Sequence, residues 1–437
     1  MKTPIALVPY CFIILLTGCV SYTPKPLPMG TAQVTQALHT ADSKTLLIDP
    51  SKPLNANDLA AIAVLNNPDL KALRAGQGVA DAQVFSAGLL PDPQLNPSWG
   101  FPLQSNGNVT AYTYGVNFDI GSLLTRHTQI EAAEALKQQV HDNIAWQEWL
   151  VANQAHLLAL QVMSLQAQLA LAQQNLSQSQ KIMQLTKTNL LKHDTTLTEW
   201  NARETAYFDA EDQVTTLTRS LSTDQIALNQ LLGFPPDAQL QLAPIQVQIP
   251  ASLNATTLFA QAEKSRLDLQ ALQAGYQNQE VQVHQAILGQ YPHFNLDVNR
   301  ARDNTDVNSV GLGFTFDLPL WNRNQGQIAI QTATRNQLYQ AYISRLQQTR
   351  ADITTLVANI DLLQTEQKTL LEANGNLTEP ALNQLFQEGQ IDLATYADFN
   401  ATLVNKQQRL LALSQSLAEQ CVALQIAVGT QLAGLSC

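Results

Sequence analysis

Side chains able to do covalent or metal chemistry are few and scattered along the 437 residues. Of the seven histidines, none stands in an HExxH or other paired-ligand spacing that would set two imidazoles on one helix face. No glycine-rich loop of the phosphate-cradling kind is present either. His193, His284 and His293 therefore read as exposed or packing residues, and the expected answer to the enzyme question is no. That leaves four cysteines, Cys11, Cys19, Cys421 and Cys437. A thiol is a nucleophile, so what matters is which of them something is placed to react with.

Cys19 is so placed. Lys2 gives the chain a positive start, Ile5 to Leu16 is largely apolar and too short to span a bilayer comfortably, and the stretch ends in Leu16, Thr17, Gly18 and Cys19. That run resembles the lipobox of bacterial lipoproteins, in which small residues let a peptidase cut before the cysteine. The resemblance implies a signal peptide over 1–18 and a Cys19 carrying a diacylglycerol and an N-acyl lipid, with no other cofactor. Val20 rather than Asp after the cysteine points, by the sorting rule for such lipoproteins, to the outer membrane. Cys11 leaves with the signal. Cys421 and Cys437 remain as two thiols that an oxidising compartment could join, and spacing alone does not decide whether they meet. Two cysteines make no metal framework.

The elements around these residues follow from composition and period. Apolar residues make up 45% of the chain but aromatics only 6%, a mixture suited to helices packed through thin seams rather than around a thick core. The net charge of −11 provides no basic cluster for phosphates, so no nucleic-acid partner is expected. After Cys19, Pro24, Pro26, Pro28, Pro50 and Pro53 punctuate a stretch with little periodicity, which reads as an extended tether over 19–54. Ordered structure is expected from Asn55, with Asn57 capping a helix through Leu65 and Asn67-Pro68 opening another to about Leu90.

An internal repeat organises the rest. The run Asn67–Ala75 echoes Arg266–Ala274, Asp69 and Asp268 standing 199 residues apart, and Pro93 and Pro292 keep that offset. Phe118 and Phe316 stand 198 apart, Gly233 and Gly429 196. The halves are expected over 55–232 and 257–429, joined by a linker at 233–256 and followed by a tail at 430–437. Each half carries a strand pair, at 94–120 and 293–318. In the first, Leu95, Pro97, Trp99 and Phe101, then Tyr112, Tyr114, Val116, Phe118 and Ile120, alternate with polar or small residues. In the second, Phe294, Leu296 and Val298, then Val310, Leu312, Phe314, Phe316 and Leu318, do the same. A period of two means strands with one apolar face. Strands of roughly nine residues suit a tilted membrane crossing, but four of them cannot close a barrel, because the smallest membrane barrels have about eight. An open edge in lipid leaves backbone groups unpaired, so the chain must oligomerise.

Long helices fill the remainder. No Gly or Pro interrupts Ser122 to Leu232. Leu158, Val162, Leu165, Leu169, Ala172 and Leu176 step by four and three, as do Val214, Leu217 and Leu221, with Leu228 and Leu231 beyond Asp224. The second half offers Ile353, Leu356, Ile360 and Leu363, then Leu410, Leu413, Leu417 and Leu424. Reversals are expected around 192–196 and 388–390. Trp146 and Trp149, three apart on one helix, read as packing residues.

These residues together resemble the TolC-like outer-membrane efflux factor family, over nearly the whole mature chain. Asn66–Leu70 and Ala87–Pro93 are similar to that family's first-helix and first-strand signatures, and Phe316–Ile328 to its second strand-to-helix junction. The resemblance implies a mainly α fold with a small β part. Three chains would share one 12-stranded β-barrel in the outer membrane, continuous with a long α-helical coiled-coil barrel. It further implies an exit duct of a tripartite efflux system, passively conducting substrates, with a periplasmic adaptor, an inner-membrane transporter, most often proton-driven, and outer-membrane lipid as partners. The family narrows at a periplasmic tip where a glycine-led turn precedes acidic residues. Gly389–Asp398 occupies the matching place, with Asp398 at one acidic position and Thr395 where another acid is common. Asp398 is thus the gate candidate, and a ring of three such carboxylates would repel one another and favour hydrated cations. Leu318–Gly326 resembles the heavy-metal branch, which would make metal cations a cargo. A type I protein-secretion duct and a structural envelope lipoprotein remain alternative readings of the same sequence.

Overall fold

A computed structural model describes residues 22–25, 53–103, 108–244, 247–250, 252–372, 378–432 and 435. The chain divides into Met1–Leu47, of which only the exposed residues 22–25 are described, and Ile48–Cys437, to which everything below refers. The expected signal peptide, most of the expected tether, Cys19 and Cys437 lie outside the described residues.

Asparagines and aspartates set the helix starts. Asn55 Oδ1 accepts from Asp58 N at 3.0 Å while Asp58 Oδ2 accepts from Asn55 N at 3.1 Å, a reciprocal box that opens α1, Ala56–Asn66. The cap is therefore Asn55 and not Asn57, which lies inside the helix without a carboxylate partner three residues on. Asn67 accepts from Asp69 N and Leu70 N at 3.0 Å each and, with Pro68 at the first helical position, opens α2, Pro68–Gly88. β1 (Gln94–Gly100) and β2 (Ala111–Asp119) follow, then α3, Ile120–Leu191, a single helix of 72 residues. At 1.5 Å per residue α3 is about 110 Å long. α4 (Leu197–Leu231) runs back from it.

The second half repeats the plan with α5 (Ala255–Ser265), α6 (Leu267–Leu288), β3 (Phe294–Arg302), β4 (Asn308–Phe316) and α7 (Gln325–Glu372). α8 (Glu379–Gln387) and α9 (Leu393–Val428) complete it. Three strand ends differ from the alternation. Phe101 lies just beyond β1, which ends at Gly100. Ile120 belongs to α3, because Asp119 Oδ1 accepts from Ser122 N at 2.9 Å and starts the helix there. Leu318 lies beyond β4, next to Pro319, which has no N–H to continue a ladder.

The four strands form one antiparallel sheet in the order β1-β2-β3-β4, the two hairpins joining through β2 and β3 with Val116 opposite Val298. The helices pack around three apolar clusters. One gathers Leu54, Leu59 and Ile62 against Ala159, Val162 and Leu228. A second gathers Ile353 and Ile360 of α7 against Leu417, Val422 and Leu424 of α9. A small third one, Ile182, Leu382, Tyr396 and Ala397, lies near the reversals. Between the second and third, α3 and α9 meet through hydrogen-bonded polar side chains. Ser164 Oγ donates to Gln415 Oε1 at 2.8 Å, Gln168 Nε2 to the same oxygen at 3.0 Å, and Gln161 Nε2 to Glu419 Oε1 at 3.3 Å.

The repeat extends to hydrogen bonds. Asn67, at the α1–α2 corner, donates to Leu231 O at 3.2 Å, beside Gly233. Arg266, 199 residues on at the α5–α6 corner, donates to Ala427 O at 2.7 Å, beside Gly429. Both glycines adopt left-handed backbone, φ 73° and 79°, and end the last long helix of their half.

Candidate functional site

The sheet has two chemically opposite faces. Across it, Leu95, Val116, Val298 and Leu312 form one level of one face, and Phe118, Leu296 and Phe314 another. Much of that face is bare: Val310 is 77% exposed, Leu312 72% and Phe314 70%. Neighbouring residues on the other face are Asn96, Gly115, Asn299 and Gly311 on one level and Asn117, Asp297 and Gly313 on the next. A contiguous bare apolar surface of this kind marks contact with lipid or another protein, while the Asn and Gly face suits water. β1 and β4 each have one edge without a paired strand among the described residues.

The other end of the long helices is built from two reversals. α3 turns into α4 through His193, held at φ 65°, and α8 turns into α9 through Gly389, at φ 71°. Asp392 Oδ1 accepts from Thr395 N at 2.7 Å and caps α9, so Thr395 supplies a capped backbone N–H. Asp398 lies one turn further. Its Oδ1 accepts from Arg203 Nη2 of α4 at 3.1 Å, and Arg203 Nε donates to Glu199 Oε1 at 2.6 Å. Asp398 is largely exposed and Arg203 largely buried. The gate candidate Asp398 thus has a guanidinium partner from its own chain. Arg203 also borders a polar cavity of about 150 Å³ between α3, α4 and α9, lined by Asn175, Ser179, Asn400 and Gln408 among others. Beneath it Tyr396 stacks on Phe386, centroids 4.6 Å apart, and donates its hydroxyl to Asn383 Oδ1 at 2.7 Å. Burial, then the charge of Glu379, pushes the Tyr396 phenol up from its ordinary value, so it stays a donor.

The family model described as outer membrane efflux protein matches residues 59–234 and 258–430. The chain belongs to the outer membrane efflux protein family. Its two matched segments are its two structural halves, and its function is that of an outer-membrane efflux channel. No curated protein matches the chain in sequence.

Solved structures carry the same fold. CusC, described through its folding and transmembrane channel formation, superposes with a TM-score of 0.68 at 18% identity, over 89% of this chain and 96% of that one. The Campylobacter jejuni CmeC outer membrane channel gives 0.68 at 13% identity over 96% and 95%. The Vibrio cholerae outer membrane protein VceC gives 0.68 at 17% identity over 86% and 96%. At these identities the likeness establishes the fold of this efflux protein.

Some residues of the efflux protein had no local signal. Asp268 Oδ1 and Oδ2 accept from Arg266 Nε at 2.9 Å and Nη2 at 2.7 Å, and Oδ2 also accepts from Arg345 Nε at 2.7 Å. The Arg266 guanidinium lies 4.7 Å from the centre of the Trp146 ring, so Trp146 does pack, as expected, but against a cation. Arg345 is 77 residues away in sequence, too far for any motif. The pairing of Arg203 with Asp398 did leave a trace. The two stand seventh in α4 and sixth in α9, within one position of equivalent places in the repeat. Among the described residues no group of three or more His, Cys, Asp or Glu is placed to hold a metal ion. Cys421 is fully buried and disulfide-bonded.

Proposed function

We propose that three copies of this efflux protein join β1 of one to β4 of the next and close a twelve-stranded barrel, through which substrates pass passively. The observation that carries this reading is a four-stranded sheet with two unpaired edges and one bare apolar face. In hydrocarbon each unpaired backbone group costs several kcal/mol, so the edges must meet other strands. Two copies would give eight strands, and a barrel of about eight is just wide enough to be filled by its own side chains. Three leave a bore. The half-buried seam residues Leu158, Leu165 and Leu169 on α3 support the same assembly, since a neighbouring helix would cover their open side. Energy comes from an inner-membrane transporter, reached through a periplasmic adaptor, and lipid on Cys19 ties each chain to the membrane it serves.

In this reading Asp398 belongs to the gate at the helical tip. Its bond to Arg203 links α9 to α4, so separating those helices breaks an ion pair as well as the hydrogen bond from Gln408 Nε2 to Gln213 Oε1. The test is conductance of the purified protein in planar bilayers. The native protein should give discrete channels, and Asp398→Ala should raise single-channel conductance or reduce block by cations. Channels identical in the two would remove Asp398 from the gate. A native protein that inserts and never conducts would favour an envelope scaffold.

A further inference from the structure

The barrel reading leaves open what the enclosed face of the sheet selects for. If the apolar face meets lipid, the face bearing Asn96, Thr113, Asn117, Asn299 and Ser309 lines the bore. Between Asp119 at the end of β2 and the hairpin loops, Asp297 is the one charged residue on that face among the described residues. The strands' two arginines do not answer it. Arg300 and Arg302 alternate onto the opposite face, and Arg302 Nε is engaged by Asp306 at 2.6 Å.

Glycines make room for this carboxylate. A Cβ on Gly115, across on β2, would stand 3.2 Å from Asp297 Oδ1, and one on Gly313, across on β4, 3.6 Å from its Cβ. The side chain therefore leans over the wall instead of projecting into the bore, in space that a larger neighbour would occupy. Oδ1 is shielded and has no hydrogen-bond partner among the described residues. The contrast with the tip is direct: Asp398 has Arg203 within 3.1 Å, and Asp297 has no ion-pair partner among the described residues. A charge without a nearby counter-charge keeps its field in a low-dielectric-walled bore.

We propose that Asp297, repeated three times around the barrel, sets a cation preference in the outer-membrane part of the duct, separate from any selection at the tip. This rests on the shared-barrel reading. Three carboxylates facing one bore raise the local concentration of cations and lower that of anions, over a range fixed by ionic screening.

The experiment is the reversal potential across planar bilayers under a KCl gradient, measured in the Asp398→Ala background so that the candidate gate carboxylate is absent from the tip in every chain compared. Asp297→Asn should lower the cation-over-anion permeability ratio about twofold near 0.1 M salt, where the screening length is about 10 Å. The difference should vanish near 1 M, where that length is about 3 Å. Asp297→Glu should restore the starting ratio. Conducting channels whose ratio at 0.1 M is the same with Asp or Asn at 297 would overturn the proposal while leaving the barrel intact. If no chain forms a conducting pore, the barrel reading fails and this one with it.

Discussion

At the scale of single residues, Asp268 with its two arginines ties acid stability to a buried ion-pair cluster. Burial alone would raise its carboxyl, but hydrogen bonds and charge from Arg266, then from Arg345, outweigh that and hold it below the usual range. A pKa lower folded than unfolded adds stability that is fully present above about pH 4 and is lost as pH falls through the folded value. Melting of the helical signal should therefore weaken below about pH 4, and Asp268→Asn should melt lower at neutral pH but show a shallower acid slope. An equal slope in both would refute the assignment. Arg266→Ala leaves a buried carboxylate short of its main partner and should cost about 3–5 kcal/mol. At the other end of the chain, Cys19→Ser should abolish the lipid mass on the N-terminal peptide, and recovery of an unaltered acylated protein would refute the lipobox.

At the scale of elements, the two turns into and out of α9 make a sharper comparison than either alone. Gly389 and Gly429 both hold left-handed backbone, yet a Cβ on Gly389 meets nothing within 4 Å, while one on Gly429 would meet Arg266 Cγ at 2.9 Å and Cα at 3.0 Å. Gly389→Ala should cost only the left-handed penalty of about 1–2 kcal/mol. Gly429→Ala adds displacement of the α5–α6 corner and should melt clearly lower; equal melting points would mean that the corner yields freely. Much at this scale was legible, because it is periodic. Alternation marked the strands, heptad steps marked Val162, Ile353, Ile360 and Leu417, and Gly389 marked the second reversal, while the first, without Gly or Pro, was marked by the polar run at 192–196. What escaped was non-periodic. The Asn55 cap depended on which of two nearby asparagines had an acid three residues on. The seam of Ser164, Gln168 and Gln415 reads as a solvated polar face in one helix and becomes a contact only when the other is beside it. The candidate site was half legible, since Asp398 was marked by resemblance, but its partner came from another helix 195 residues away.

At the scale of the whole molecule, the sheet is finished on neither edge, and it is attached to long helices, α3 alone about 110 Å, whose seam residues are only half covered. A single chain has no way to satisfy both in a membrane, and cyclic assembly satisfies both at once. The selectivity expected of Asp297, the gate expected of Asp398 and the passage of substrate all presuppose that assembly. The most direct measurement is the protein mass of the detergent-extracted complex by light scattering. The account predicts three chains per particle, and a stable monomer would contradict it.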